Sequence, residues 1–170
     1  AWQCYLPLAE GGEWTYDVVY KQTQRDYDLQ ITYTGAETWT CTRANWQDSI
    51  FVFGSTFKGS RHIVEGEQQQ TDAVYSRGGW FQVRIRNRRL HLLREGSDTL
   101  YPFAGELLAG LADQFIVVFP KADTDIKTIE HSGESSSVQY TLDSNRGLVS
   151  AGWEEHTPER TESCYFTQHQ

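Results

Sequence analysis

Apolar and polar side chains alternate in this chain with a period of two, and the alternation recurs along most of its length. It is clearest from residue 13 to residue 21, where four large side chains fall on one face: Trp14, Tyr16, Val18 and Tyr20. Successive side chains of a β-strand point to opposite faces, so this period indicates strands with one buried face. A chain patterned in this way is expected to fold as an antiparallel sheet.

Further segments with strand character follow, separated by turns rich in Gly, Asn and Ser. In chain order they are 28–34, 38–42, 49–53, 72–75, 80–86, 90–94, 116–119, 126–131, 137–142, 148–155 and 162–167. The sequence therefore predicts an all-β, mainly antiparallel fold, either a β-sandwich or a barrel-like sheet of about ten strands. Residues 1–170 are predicted to form a single β-rich domain.

Glycine and helix-forming residues mark the interruptions of this pattern. Gly35 is predicted to end the strand before it, and residues 76–79 are predicted to form a turn. Asn87 and Arg88 are predicted to connect a hairpin between residues 80–86 and 90–94. Leucines recur with helical spacing over residues 105–115, which predicts one short helix there.

The acidic balance of the chain restricts its partners. There are 23 acidic residues against 15 Lys and Arg, and the formal net charge is −8. Proteins bind nucleic acids and anionic membranes chiefly by neutralising phosphates, so nucleic acid is not predicted as a partner. No apolar run approaches the ~20 residues that a helix needs to cross a bilayer, and no transmembrane segment is predicted.

Three cysteines are present, and none belongs to a C-x-x-C pair of the kind found in zinc and thioredoxin-type sites. Cys41 and Cys164 lie in strand-like surroundings, and we predict a disulfide between them in an oxidising compartment, with Cys4 left over. The alternatives are the two other pairings, or three reduced thiols packed as small apolar side chains.

The start of the sequence also favours an exported protein. The chain begins at Ala1 and contains no methionine. Secretory signal peptides are cleaved beside small residues, so the sequence is interpreted as a mature chain whose signal peptide has been removed. The alternative is a trimmed sequence. The predicted location is periplasmic or extracellular.

The segment Tyr5-Leu6-Pro7-Leu8-Ala9-Glu10-Gly11-Gly12-Glu13-Trp14-Thr15-Tyr16 resembles the Y-x-P-L-x-x-G-x-x-W-x-Y start of a loose group of bacterial extracytoplasmic β-rich lipoproteins. A late G-L-V step is frequent in that group, and Gly147-Leu148-Val149 resembles it. This resemblance implies an envelope protein, with a lipid anchor upstream of Ala1 as one form. Gly12-Glu13-Trp14 is also similar to the G-x-W of lipocalins, which implies a barrel that carries a small apolar ligand.

No pattern in the sequence predicts a catalytic residue, a metal site or a cofactor. A G-x-S-x-G elbow and a phosphate-binding glycine loop are both missing from the sequence. The five histidines are scattered. The densest group of ligand-type residues is Glu154, Glu155, His156 and Glu159, and a solvated strand end is the favoured interpretation of it. We therefore predict a protein that is not an enzyme.

The unusual local feature is basic. Six of the fifteen basic residues fall within eighteen positions: Arg77, Arg84, Arg86, Arg88, Arg89 and Arg94. Arg84 and Arg86 are predicted to share a strand face, and guanidinium groups suit carboxylate or phosphate. We predict partner-binding roles for Arg77, Arg84, Arg86, Arg88 and Arg89, with Trp80 as an aromatic anchor. The alternative is a solvated face paired with the acids of the same chain.

These features favour a non-enzymatic binding protein of the bacterial envelope, with an inhibitor or immunity-type protein as one form. Its expected partner is another protein, met through an acidic or aromatic surface. A lipocalin-like carrier and a structural envelope lipoprotein are the alternatives.

Overall fold

The computed structural model describes residues 2–4, 8–96, 103, 115–116, 118–120, 126–143 and 145–169. Nearly all of the predicted helix, residues 105–114, lies outside them. The described strands, in chain order, are β1 Trp2–Cys4, β2 Glu13–Gln24, β3 Leu29–Asn45, β4 Ile50–Glu65, β5 Gln68–Arg86, β6 Arg89–Gly96, β7 Phe115–Ile116, β8 Val118–Pro120, β9 Ile126–Ser132, β10 Ser136–Asp143, β11 Gly147–His156 and β12 Arg160–Gln168.

Ten of these strands form one antiparallel sheet in the order β7-β6-β5-β4-β3-β2-β12-β11-β10-β9, and β1 pairs with β8. The sheet curls into a half-barrel, which confirms the predicted all-β class and its barrel-like form. Within the described residues there is no helix with the length and apolar character that crossing a bilayer requires.

The inner face of the sheet carries the core, and the predicted alternation determines which residues enter it. Tyr16, Val18 and Tyr20 of β2 are buried, and Trp14 packs against them from a partly buried position. Large side chains from the neighbouring strands complete this core: Trp39, Phe51, Phe53, Phe57, Phe81, Tyr140, Leu142 and Phe166. Because the core is largely aromatic, burying it provides most of the driving force for folding.

Two predicted interruptions are wrong, because β3 runs straight through Gly35 and β5 runs straight through residues 76–79. Gly35 lies directly opposite Gly59 of β4. A Cβ built on either glycine would lie 2.6 Å from the Cα of the other, so the pair permits a close approach of two strands. Residues 76–79 pair in unbroken register with β4, which satisfies their backbone groups.

The predicted disulfide between Cys41 and Cys164 is also wrong. Cys164 of β12 is level with Tyr20 of β2, which is level with Tyr33 of β3. Cys41 lies further along β3 by about 26 Å, at ~3.3 Å per residue. A disulfide requires Cα atoms no more than about 7 Å apart. Both thiols are buried, and the Cys41 thiol points to the Leu8 and Arg43 carbonyls at 3.6 Å.

The two parts of the lipoprotein-like sequence pattern meet in the structure. The backbone at Gly147 has φ +78°, and a Cβ there would overlap the ring of Trp14. The Tyr16 hydroxyl donates to the Leu148 carbonyl at 3.1 Å. The G-L-V step and the W-x-Y step therefore form one packing unit, in which glycine is required for its conformation and for space.

Replacing Gly147 with alanine is expected to destabilise the protein by about 2–3 kcal/mol, because the side chain both strains a left-handed residue and displaces the Trp14 ring. Urea unfolding followed by tryptophan fluorescence would measure this loss. Gly66 has φ +60° but nothing within 4 Å of a built Cβ, so Gly66→Ala reports the conformational cost alone. Equal losses in the two variants would contradict the packing role.

Candidate functional site

The strongest candidate site is the tip of the β5–β6 hairpin, which we call the basic tip and define as Arg84, Arg86, Arg88 and Arg89. Phe81 and Val83 of β5 are buried on the inner face, so Arg84 and Arg86 lie on the outer face, as predicted. Arg86, Arg88 and Arg89 are exposed, and Arg84 is half-buried. The alternation of β5 therefore concentrates positive charge at one end of an acidic protein.

The turn at the basic tip holds an unfavourable backbone conformation. Asn87 and Arg88 have φ +53° and +67°, which places both central residues of the turn in the left-handed region, as a type I′ hairpin requires. Asn tolerates this region, and Gly is the usual second residue. An arginine at this position costs about 1–2 kcal/mol relative to ordinary backbone. The predicted hairpin is confirmed, with arginine where glycine would be more stable.

The same turn places two like charges face to face. Arg86 and Arg89 are directly opposed across the ladder. Like charges in opposed positions destabilise a sheet. Within the part of the chain that the structure describes, no carboxylate forms an ion pair with Arg84, Arg86 or Arg89. Arg86 and Arg89 are exposed to solvent, so the alternative of a solvated face paired with the acids of the same chain stays a prediction beside that of a binding site.

An exposed tryptophan lies at the same end of the sheet. Trp46 is 64% exposed in the β3–β4 turn, and its ring meets Phe51 edge-on with 5.0 Å between centroids. The turn is fastened to β5, because the Ile85 amide donates to the Ser49 carbonyl at 3.0 Å. Within the same sheet, Arg84 pairs with Ile50 at the end of this turn. Sequence reasoning did not assign Trp46 to the site, because only the paired register brings it to this end.

Two of the predicted site residues lie elsewhere. Arg77 is on the inner face of β5 and only 9% exposed, so it is not part of the basic tip. Its guanidinium carbon lies 4.2 Å from the ring centroid of Phe103 and 5.8 Å from that of Tyr33. Trp80 is on the outer face, between Gly54 of β4 and Gly96 of β6, and it lines a separate groove.

The charge that faces Arg77 is Glu37, a fully buried residue that sequence reasoning missed. Its carboxylate accepts hydrogen bonds from Trp39 Nε1 at 2.9 Å and from the Phe103 amide at 2.8 Å. Burial raises the pKa of Glu37, while these donors, the nearby Ser55 hydroxyl and the charge of Arg77 lower it again. The Ser55 hydroxyl has no hydrogen bond of normal geometry among the described residues. This cluster fastens Phe103 to the inner face, so its role is structural.

The histidines and acids form no metal site within the described residues, where no three such side chains cluster. Glu154 and His156 share a face of β11, as their spacing predicts, with 3.5 Å between Oε2 and Nε2. Both side chains are more than a third exposed. This is a solvated pair at a strand end.

No family model, no curated protein and no solved structure matches this chain. The resemblances to envelope lipoproteins and to lipocalins therefore remain predictions.

Proposed function

We propose that this chain is a non-enzymatic, exported binding protein that holds an acidic partner protein on the basic tip, with Trp46 as an aromatic anchor. An inhibitor or immunity-type protein is the form of this function that we favour, since such proteins need only a complementary surface. The carrier and structural-lipoprotein alternatives stay predictions.

The proposal rests on two features of the hairpin turn that each reduce the stability of the fold. A left-handed arginine and an opposed arginine pair both lower the stability of the isolated fold. Locally unfavourable residues of this kind are found mainly at functional sites. Here both features place guanidinium groups at one exposed point.

The chemistry of the basic tip suits a carboxylate-rich protein surface. Arginine forms bidentate hydrogen bonds with carboxylates and is enriched with tryptophan at the centres of protein interfaces. The rest of the chain is acidic, so the tip would orient an approaching acidic protein toward itself and repel it elsewhere. Binding is therefore expected to weaken as salt is added.

The test uses Arg86→Glu, alone and with Arg89→Glu. The single variant places a carboxylate opposite Arg89, so its unfolding free energy should rise by about 0.2–1 kcal/mol while partner binding weakens by roughly tenfold. The double variant restores a like-charge pair and should weaken binding by about a hundredfold or more. Capture from an envelope extract would identify the proteins that the unmodified chain retains, and calorimetry with the purified partner would give the affinities.

The matched control is Lys21→Glu with Arg25→Glu, which changes the net charge equally at two exposed positions away from the tip. It should leave capture nearly unchanged. If the control and the Arg86/Arg89 variant lose the partner equally, net charge alone governs binding and the assignment to the tip fails. If calorimetry with the tip variants gives the unmodified affinity, the proposal is also overturned.

A further inference from the structure

A groove on the outer face of the sheet is separate from the basic tip. It has a volume of about 930 Å³ and runs across β2, β3, β4 and β5. Two rows of the ladder cross it: Trp80, Gly54, Thr40 and Glu13 in one, and Gly78, Thr56 and Thr38 in the next. With ~4.8 Å between strands, the first row spans about 14 Å and the second about 10 Å.

The floor of the groove contains glycines that the fold does not need. A Cβ on Gly54 would approach only the Thr42 methyl carbon, at 3.5 Å, and a Cβ on Gly78 only the Ser55 carbonyl, at 3.6 Å. Both are ordinary contacts, and neither glycine has a left-handed backbone. Glycine inside a strand lowers stability and marks places where a ligand approaches the backbone closely. Close packing of β3 against β4 explains why residues 35 and 59 are glycines, but no packing contact explains Gly54 and Gly78.

The walls of the groove define the chemistry of its ligand. Among the described residues that line it, Trp80 is the only aromatic one. Thr38, Thr40 and Thr56 contribute hydroxyls; those of Thr38 and Thr40 already bond Thr15 and Glu13 but keep lone pairs that can accept. The Glu13 carboxylate accepts from Thr40 at 3.2 Å and retains further acceptor capacity toward the groove. Lys58 is the one lysine of the lining and balances Glu13.

This lining disfavours two ligand classes. Apart from Trp80, the largest hydrocarbon side chain among its described residues is Ala36, so a lipid or other apolar ligand would remove the Glu13 carboxylate and the threonine hydroxyls from water, which is unfavourable. Three charged residues line the groove: Glu13 and Lys58 offset each other, and Arg77 interacts with the buried Glu37. The lining therefore gives no net attraction for a polyanion. A neutral ligand with many hydroxyls and an apolar ring face satisfies both the threonines and the tryptophan, whose π face attracts weakly positive C–H groups.

We propose that this groove binds a neutral carbohydrate chain, with one sugar ring stacked on Trp80 and its hydroxyls bonded to Glu13 and the threonines. Gly54 and Gly78 let the sugar approach the backbone of β4 and β5. The groove is separate from the basic tip, so carbohydrate binding can be confirmed or refuted independently of the proposed protein partner.

The test is titration of the ¹⁵N-labelled full chain with cello-, malto- and chito-oligosaccharides of matched length at millimolar concentration. The amide signals of Gly54 and Gly78 and the indole signal of Trp80 should shift together and saturate with at least one of them. Gly78→Thr places a side chain on the floor at a position where an added Cβ meets nothing closer than 3.6 Å, so it should weaken this binding by about tenfold or more while the melting temperature stays the same or rises. Gly54→Thr provides the same readout in the next strand.

Thr34→Val is the control, because Thr34 is exposed on the same face beyond the groove. Its binding should match that of the unmodified chain. The proposal is overturned if none of the oligosaccharides moves the three signals, or if Gly78→Thr and Gly54→Thr bind as well as the unmodified chain. Saturable shifts with polygalacturonate but with no neutral sugar would overturn the assignment of a neutral ligand.

Discussion

Replacing Gly59 with alanine is expected to lower the unfolding free energy by about 3 kcal/mol or more. The added Cβ would lie 2.6 Å from the Cα of Gly35 and closer still to the Thr34 carbonyl oxygen. Both obstacles are backbone atoms, so the strands themselves have to separate. The loss is therefore larger than overpacking against side chains produces, and equilibrium urea unfolding would measure it.

Gly54→Ala is the matched control, since it is the same substitution in the same strand. Its Cβ meets only the Thr42 methyl carbon, at 3.5 Å. Removing a glycine from a strand interior should stabilise the protein by about 0.5–1 kcal/mol. Opposite signs at Gly54 and Gly59 are the expected result. Similar losses at both positions would mean that the close approach of β3 and β4 at Gly35 is not what requires glycine.

The roles of the glycines could not be predicted from the sequence alone. The alternation of β2 predicts both the strand and its buried face, because period two is a local property. Gly35 is read as a strand end because glycine usually interrupts strands. Its actual role depends on Gly59, a residue brought opposite it only by the pairing of β3 with β4. Such a pairing is not encoded in either segment alone.

Arg77 was assigned to the wrong site for the same reason, because glycines were taken as the end of a strand. A turn at residues 76–79 would have separated Arg77 from the alternation that follows. In the continuous strand β5, Arg77 has the same parity as Phe81 and Val83, so it points inward. Glu37 likewise shares its parity with Trp39 and Cys41 of β3. Extending the alternation through each glycine would have identified both buried charges.

The basic tip was more predictable, because a hairpin turn and its flanking arginines are neighbours in sequence. Arg84, Arg86, Arg88 and Arg89 lie on the outer face or in the turn, as predicted. The contribution of Trp46 was not predictable, since it depends on the contact between the β3–β4 turn and β5.

Replacing Arg77 with methionine is expected to lower the unfolding free energy at neutral pH by about 3–5 kcal/mol, because it leaves the Glu37 carboxylate buried without its opposite charge. Methionine retains most of the apolar stem that packs near Phe103, so charge is the main change. The double variant Arg77→Met/Glu37→Gln should recover much of the loss. A double-mutant cycle by urea unfolding would measure the coupling.

The dependence of this effect on pH has a definite sign. The folded-state pKa of Glu37 is raised above 4.5, the ordinary value for a glutamate side chain, chiefly by burial. A raised carboxyl pKa means that the folded state retains the proton more strongly, so the associated stability is fully present below pH 4.5 and is lost as pH rises through the folded pKa. Stability relative to Glu37→Gln should therefore fall with rising pH. In Arg77→Met the fall should extend to higher pH, since the cation that lowers this pKa is gone. A loss in Arg77→Met that is the same at low and neutral pH, and that Glu37→Gln does not relieve, would show that Arg77 stabilises the fold through packing on Phe103 and not through its charge.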